Sequence, residues 1–573
     1  MEPTAVQTLP VALRALVEAL PEVYQPIYGY EQLSSSRTST SPRMRALLDT
    51  VELLSNALGR KLRILDLGSA LGYAAFCLAA HGHHVTGIEF LDLNVAVAEA
   101  IAAEHEDHDV SFVLGDVSDA ESLVDIASYD VVVALSVFHH LIHRDGHDSV
   151  TSLIGRISAI VPHAFFELAL AEEPLYWAEA LPKAPRSTIA SYGYARQLVL
   201  SATHLSDVQR PLFFCSQHYV IVAGELHRFH RWSSKSHAQG NEVQSMAMRY
   251  FMVEGGVTKA AARLHESLPE SIFVSLREDL RREAHVLKAL ERAGVAAPAL
   301  LDFAESPDET VLTRTAFPGE LVSELNGSLT VAERQLITTA VLKDLATLES
   351  HGLYHSDLRL WNVVFDRARG QAHLIDHGSV RTKPIDVVQP HDAYLSLVVF
   401  ATALWSVSDD QPGGDLPRSL AVDAAELPAQ VAELIVSLLS HKRDGRVFAD
   451  LVTVWEKCKS SSSDELWPAV PISWDWLRAS HGLSASLKRE LSDAWRLAEE
   501  LRDHLEIASD GWRDAREETK QAVADSEQRH SLAARELRAA LGELDAMRLT
   551  LSWRLTGPIR LVRRLSKSFV GDI

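Results

Sequence analysis

From about residue 60 to 170, short apolar runs alternate with alanine-rich stretches at helical spacing. LRILDLG, HVTGIEF, VSFVLGD and YDVVVALSV are rich in branched and aromatic residues and read as strands, with helical patterns between the first three. That alternation predicts a parallel sheet with helices on both faces. From about 225 to 470 the order changes to a strand-rich start followed by long helices, which suits a small sheet lobe and then a helical lobe. From about 484 the sequence is charged, rich in alanine and leucine, and nearly free of glycine and proline. There Leu487, Leu491, Ala494, Ala498, Leu501, Leu505, Ala508, Trp512 and Ala515 alternate three and four apart, a heptad seam. The seam fades near 526–530 and resumes in another register at Leu537, Leu541 and Leu544.

Composition narrows the class. The 573 residues exceed one ordinary core and predict two or three domains. Hydrophobic residues at 47% argue against a largely disordered chain, and a net charge of −22 argues against nucleic-acid binding. Cys77, Cys215 and Cys458 are scattered, which suggests neither a disulfide framework nor zinc and fits a reducing compartment. The opening residues mix acids and prolines with apolar residues and predict a soluble helix rather than a leader. Apolar runs stay shorter than the roughly 18 residues a membrane span needs.

The first candidate site lies at Ile64-Leu65-Asp66-Leu67-Gly68-Ser69-Ala70-Leu71-Gly72, a buried strand running into a glycine turn and a helix. Gly68 and Gly72 admit close approach of a ligand to the backbone at a helix N-terminus. The turn alone also suits a dinucleotide or an empty strand–helix connection. Glu89, 23 residues after Asp66, ends the next strand, where a carboxylate can take both ribose hydroxyls. Asp116 ends the third strand, placed for an adenine amino group. Asp130 starts the fourth, which runs out into Ser136, Phe138, His139 and His140. Over roughly residues 24–220 this resembles the class I methyltransferases that use S-adenosylmethionine. Such a reaction is an in-line displacement, so an acceptor that is already anionic needs no general base.

The second candidate site is His355-Ser356-Asp357-Leu358-Arg359-Leu360-Trp361-Asn362, which matches the protein-kinase catalytic-loop spacing. Asp376-His377-Gly378 begins 14 residues after Asn362 and follows a strand-like HLI. Asp357 is the candidate catalytic residue that accepts the acceptor's hydroxyl proton; Asn362 and Asp376 are candidate Mg²⁺ ligands against ATP phosphates, and His355 belongs to the same nucleotide site. Upstream, Lys259 in Val257-Thr258-Lys259 and Glu283 in a helix are candidates for the ion pair that clamps the donor phosphates. Val311 to Pro318 reads as a strand into a hinge. No G-x-G-x-x-G loop is present; Ser233-Ser234-Lys235-Ser236-His237 is a candidate for covering the phosphates, or a solvated loop.

Residues 549–573 hold five Arg or Lys and one Asp, a local charge of +4. Leu555, Ile559, Val562, Leu565 and Phe569 share one helical face, which suits an anionic membrane surface or a partner groove, or else the segment is a solvated basic terminus. The heptad seam suits a homo-oligomer, or a helix packed on its own chain.

The order of these parts, with Tyr24-Gln25-Pro26-Ile27-Tyr28-Gly29, Glu172-Glu173-Pro174-Leu175-Tyr176-Trp177 and Ser552-Trp553-Arg554-Leu555-Thr556, resembles the bifunctional kinase–methyltransferases that terminate bacterial O-antigen polysaccharides. The resemblance implies a multidomain chain. A Rossmann-like α/β methyltransferase would cover 1–222, an α+β bilobal protein-kinase-like fold 225–475, a long coiled coil 484–550 and a basic membrane- or partner-binding segment 551–573. It implies a kinase that phosphorylates the non-reducing terminal sugar of a lipid-linked glycan and a methyltransferase that methylates the phosphate, limiting chain length. It adds Tyr24, Gln25 and Arg37 to the S-adenosylmethionine site; Arg37 and Arg43 are candidates for the donor carboxylate or the acceptor phosphate, or are free surface arginines. A polymerising glycosyltransferase would dock on the C-terminal segment, at the cytoplasmic face of the inner membrane. The rival readings are a membrane-associated scaffold with a degenerate kinase and a fused pair of small-molecule enzymes.

Overall fold

The computed structural model describes residues 9–21, 23, 25–31, 41–202, 206–235, 242–384, 393–405, 427–440 and 447–459. The expected coiled coil and basic segment, together with Tyr24 and Arg37, lie outside these residues. The chain divides into two compact units, Met1–Arg281 with Ala299–Ala316, and Arg282–Pro298 with Phe317–Ile573.

The first unit contains a seven-stranded sheet built from β1 (Arg63–Leu67), β2 (His84–Glu89), β3 (Val110–Leu114), β4 (Val131–Leu135), β5 (His163–Glu167), β6 (Tyr194–Ser201) and β7 (Arg210–Ser216), in the order β3-β2-β1-β4-β5-β7-β6. The first five run parallel; β7 is antiparallel to β5 and to β6. Their apolar runs follow from burial on both faces. Ile64, Val131, Val133 and Phe165 pack with Leu47, Val51 and Leu54 of the helix Ser41–Leu58. The alternate residues Leu65, Leu67, Val132 and Phe166 pack with Leu153, Ile154 and Ile157 of the helix His147–Ile160. Period-2 alternation along each strand thus feeds two separate apolar clusters.

Only Gln217 and His218 separate β7 from β8 (Tyr219–Val222). Ser216 Oγ fixes that corner by accepting from the amides of His218 (3.0 Å) and Tyr219 (2.8 Å). β8 forms a hairpin with β9 (Glu225–Ser233) through Ala223 and Gly224, at φ 50° and 86°. Two left-handed residues make the tight turn that strand twist favours. The 222/225 boundary expected from the sequence falls in this turn. β10 (Met248–Val253), β11 (Gly256–Ala262), β12 (Leu300–Ser306) and β13 (Glu309–Thr315) complete a second sheet in the order β12-β13-β11-β10-β9-β8. Phe251, Val253, Ala260 and Val311 join the cluster that holds Ile64 and Phe165, so one apolar core supports both sheets of this unit.

In the second unit, the helix Val331–Ser350 starts with a capping box between Thr330 and Glu333. It packs Ile337, Val341, Leu342 and Leu345 against Leu397, Phe400, Leu434, Phe448 and Trp455. Glu349 is buried and accepts from Tyr394 Oη (2.9 Å) and from the amides of Val447 (3.2 Å) and Phe448 (2.9 Å). This carboxylate joins three segments distant in sequence. Short strands β14 (Glu320–Leu321), β15 (Tyr354–His355), β16 (Val363–Asp366), β17 (Gln371–Leu374) and β18 (Val380–Arg381) form sheets β14-β16-β17 and β15-β18. Among the described residues no helix is long and apolar enough to cross a membrane.

Candidate functional site

In the first unit, charged side chains gather at the carboxyl ends of β1, β2 and β5, beside the point where strand order reverses between β1 and β4. Doubly wound sheets bind ligands in this region. Gly68 and Gly72 hold φ of 72° and 75°, and Ala70 between them holds 50°. A Cβ on Gly68 would lie 2.7 Å from Val137, and one on Gly72 2.5 Å from Phe112. The glycines therefore serve close packing of the turn as well as its backbone geometry. Glu89 is buried and accepts from the amides of Ala70 (2.9 Å) and Leu91 (3.0 Å), tying the glycine turn to the end of β2.

Asp66 is buried, and its Oδ2 has no hydrogen-bond partner among the described residues. Burial, reinforced by the negative charge of Glu89 and opposed by Arg43, pushes its carboxyl up to about 7. Arg43 donates to Glu167 Oε2 at 2.7 Å, a buried pair linking residues 124 apart. Ser136, left-handed at φ 62°, donates to the same carboxylate. The donor set fits S-adenosylmethionine. The orphaned Asp66 oxygen suits an ammonium, and the Glu89 carboxylate retains acceptor capacity for ribose hydroxyls. Gln25 Oε1 is likewise buried with no partner among the described residues.

Asp116 is placed differently from these. Its carboxylate binds Arg144 and the Ser118 amide, and these contacts, Arg144 foremost, hold it down at about 2. Asp130 is held by both Nη atoms of Arg60 at the opposite end of β4, where it also accepts from the Arg63 amide. β4 ends at Leu135, and His139 and His140 lie on the helix Phe138–Asp145 rather than on a strand end. His139 is buried 4.4 Å from the Trp177 ring, and burial lowers its imidazole to about 2. Arg210 pairs with Glu173 through two contacts of 2.7 and 2.5 Å, and its guanidinium lies over Trp177.

In the second unit, His355 Nε2 lies 2.9 Å from the Ile375 carbonyl, and the Asp357 amide donates to its Nδ1 at 3.3 Å. A carbonyl only accepts, so the imidazole carries its proton on Nε2 and orients the loop from both nitrogens. Asn362 Nδ2 donates to the Asp357 carbonyl (2.7 Å) and to Asp357 Oδ2 (2.9 Å), while the Asn362 carbonyl accepts from the Ile375 amide (2.8 Å). Asp376 is left-handed at φ 62° and accepts from Ser379 Oγ at 3.1 Å. The Ser356 amide bonds to the Ser379 carbonyl (2.9 Å), and β15 pairs with β18, so the two motifs are held together by backbone. Arg282, beside the buried Glu283, donates to the Gly378 carbonyl at 3.2 Å. The oxygen donors of Asn362 and Asp376 suit a hard cation shared with phosphate and water. Lys259 sits on β11 in the first unit, buried, opposite Tyr250 and Leu312. Ser233 ends β9 and accepts from the Lys235 amide at 3.0 Å; Ser236 and His237 lie outside the described residues.

Sequence reasoning missed Glu167, Arg144 and the role of Arg359. Arg359 is buried, with Nε 3.8 Å from Asp357 Oδ1. Its place two residues after Asp357 was the available signal. The pairing of Arg43 with Glu167 had none, since it depends on tertiary packing.

A family model described as a methyltransferase domain matches residues 58–147. The chain is 32% identical over 469 residues to the O-antigen chain terminator bifunctional methyltransferase/kinase WbdD of Escherichia coli, across 81% of this chain and 65% of that protein. The chain thus spans just under two thirds of the length of this curated relative. Among solved structures, the bifunctional kinase-methyltransferase WbdD at medium resolution is 30% identical with a TM-score of 0.68, over 82% of this chain and 99% of that one. A low-resolution WbdD structure with an ordered C-terminal bundle gives 30% identity and a TM-score of 0.75, over 86% and 98%. Shared identity across nearly the whole of these solved chains places this chain in the WbdD family of bifunctional kinase–methyltransferases.

Proposed function

We propose that this chain terminates a bacterial surface polysaccharide by phosphorylating the non-reducing terminal sugar of a lipid-linked glycan and then methylating that phosphate. The observation that carries the reading is the Asp357–Asn362 contact beside Asp376, which is the arrangement phosphoryl transfer requires. Asp357 Oδ2 is fixed by Asn362, so the carboxylate presents a defined face to an acceptor hydroxyl and takes its proton. ATP would supply the phosphoryl group, and Asn362 and Asp376 would hold Mg²⁺, which would supply neutralisation of phosphate charge. Glu283, on the unit that carries Asp357, supports the same donor site.

In the first unit, Asp66, Glu89 and Gln25 bind and orient S-adenosylmethionine, which supplies an electrophilic methyl group. Tyr24, Arg37 and Asp116 extend that site. The acceptor is a phosphate oxygen. Its lone pair forms the new O–C bond, the C–S pair returns to sulfur, and no proton has to leave. No general base is needed for such a transfer, and His139, buried and weakly basic, is not called on for one.

The heptad seam makes the protein a homo-oligomer, and the basic end holds it on the cytoplasmic face of the inner membrane beside its glycosyltransferase. Purified full-length protein incubated with ATP, labelled methyl donor and synthetic oligosaccharides tests the order of events. Methylation is expected only after phosphorylation; methyl transfer to an unphosphorylated glycan without ATP refutes the reading.

A further inference from the structure

On the first unit, three neighbouring side chains present a polar-aromatic patch beside the carboxyl ends of β4 and β5. Tyr176 is 66% exposed, an unusual state for a large ring, and His140 and His143 are exposed beside it. The Tyr176 hydroxyl lies 3.1 Å from His140 Nδ1, and its ring meets the His143 ring edge-on at 5.0 Å. The patch stands on a fixed floor. The Trp177 ring, 2% exposed, lies 4.6 Å from Tyr176 and 4.4 Å from buried His139. The loop that carries both aromatics is held by the buried Arg210–Glu173 pair, and Glu173 also accepts from the Leu170 amide at 3.0 Å. An exposed ring on a rigid base is already ordered for a ligand, which lowers the entropy lost on binding.

We propose that His140, His143 and Tyr176 form the acceptor platform of the methyltransferase, with a sugar ring lying on the Tyr176 face and its phosphate among the two imidazoles. This rests on the function proposed above and names where its second substrate binds. Place and chemistry support it. Asp66 and Glu89 occupy the β1–β2 side of the strand ends, so the β4–β5 side is left for the acceptor. An aromatic face suits the C–H surface of a sugar. An imidazole N–H can donate a hydrogen bond to phosphate without the full neutralisation a guanidinium would impose. The attacking oxygen therefore keeps its electron density.

The test uses the full chain, a synthetic phosphorylated oligosaccharide and labelled methyl donor. Tyr176→Ala is expected to raise the acceptor KM about three- to tenfold, the range for one aromatic contact, with a smaller change in kcat. Tyr176→Phe should restore most of the loss, and His140→Ala should raise KM for the phosphorylated acceptor. Calorimetry with S-adenosylmethionine should give wild-type affinity in all three variants, which separates the platform from the donor site. If wild type methylates the acceptor and both alanine variants keep its KM, the platform is wrong and the proposed function stands. If wild type methylates no phosphorylated glycan, both fall.

Discussion

The charged cluster of the first unit and the catalytic loop of the second both place carboxylates near strand ends, but hold them by opposite means. At Asp357 and Asp376, side chains a few residues away supply the hydrogen bonds: Asn362 to the first and Ser379 to the second. At Asp66 and Glu167, groups far apart in sequence are packed together. One oxygen of Asp66 has no partner among the described residues, and Arg43 lies beside two acids. Local hydrogen bonds give a fixed geometry that does not depend on distant packing. Buried charges balanced at long range give a site whose charge state depends on what is bound.

The largest expected effect tests the fixed loop. Asp376→Ala should lower phosphoryl transfer by at least about a thousandfold, since metal-mediated charge neutralisation is worth several kcal/mol of barrier. Calorimetric binding of S-adenosylmethionine should persist. A kcat within tenfold of wild type would break the contrast.

Next, Arg43→Met leaves Glu167 buried without its cation. Such removal costs about 3–5 kcal/mol, so the first unit should unfold at lower denaturant concentration. Adding Glu167→Gln should restore part of the loss; no change in the midpoint would show that the pair is not a balanced one.

Glu89→Gln should weaken S-adenosylmethionine binding by about 2 kcal/mol, roughly thirtyfold, through lost charge-assisted hydrogen bonds. Circular dichroism checks the fold, because Glu89 also holds the glycine turn.

Over a single pH unit the smallest effect is a pH dependence. Asp66 ionises near 7 in the folded chain and near 3.8 when unfolded. An ammonium ligand needs the ionised form, so affinity should fall by up to about tenfold for each pH unit below that point. Asp66→Asn should flatten the profile. The linkage to stability has the opposite sense. Between about pH 4 and 7 the folded state binds the extra proton, so this group makes the first unit less stable as pH rises.

How much was legible in the sequence follows the same division. The strands β1 to β4 and the span from His355 to Asp376 rest on short-range spacing, and the structure places those elements as the patterns predict. The partners of Arg43, Asp116 and Asp130 are set by which helix lies over which strand end, information no local pattern carries. The histidines after β4 fall on a helix because Ser136 turns the backbone through a left-handed conformation, an uncommon state for serine that residue type does not reveal.

The corner between β7 and β8 has a consequence for synthesis. Val311 belongs to the core that also holds Ile64 and Phe165, and β13 is the neighbour of β11. On the ribosome, the methyltransferase sheet emerges first, but the core it shares stays open until residue 315 has left the exit tunnel. By then residues 282–298 of the other unit have already been made. The nascent chain therefore carries apolar surface from Phe165 and its neighbours for much of its elongation, a period in which a chaperone or a translational pause has something to act on.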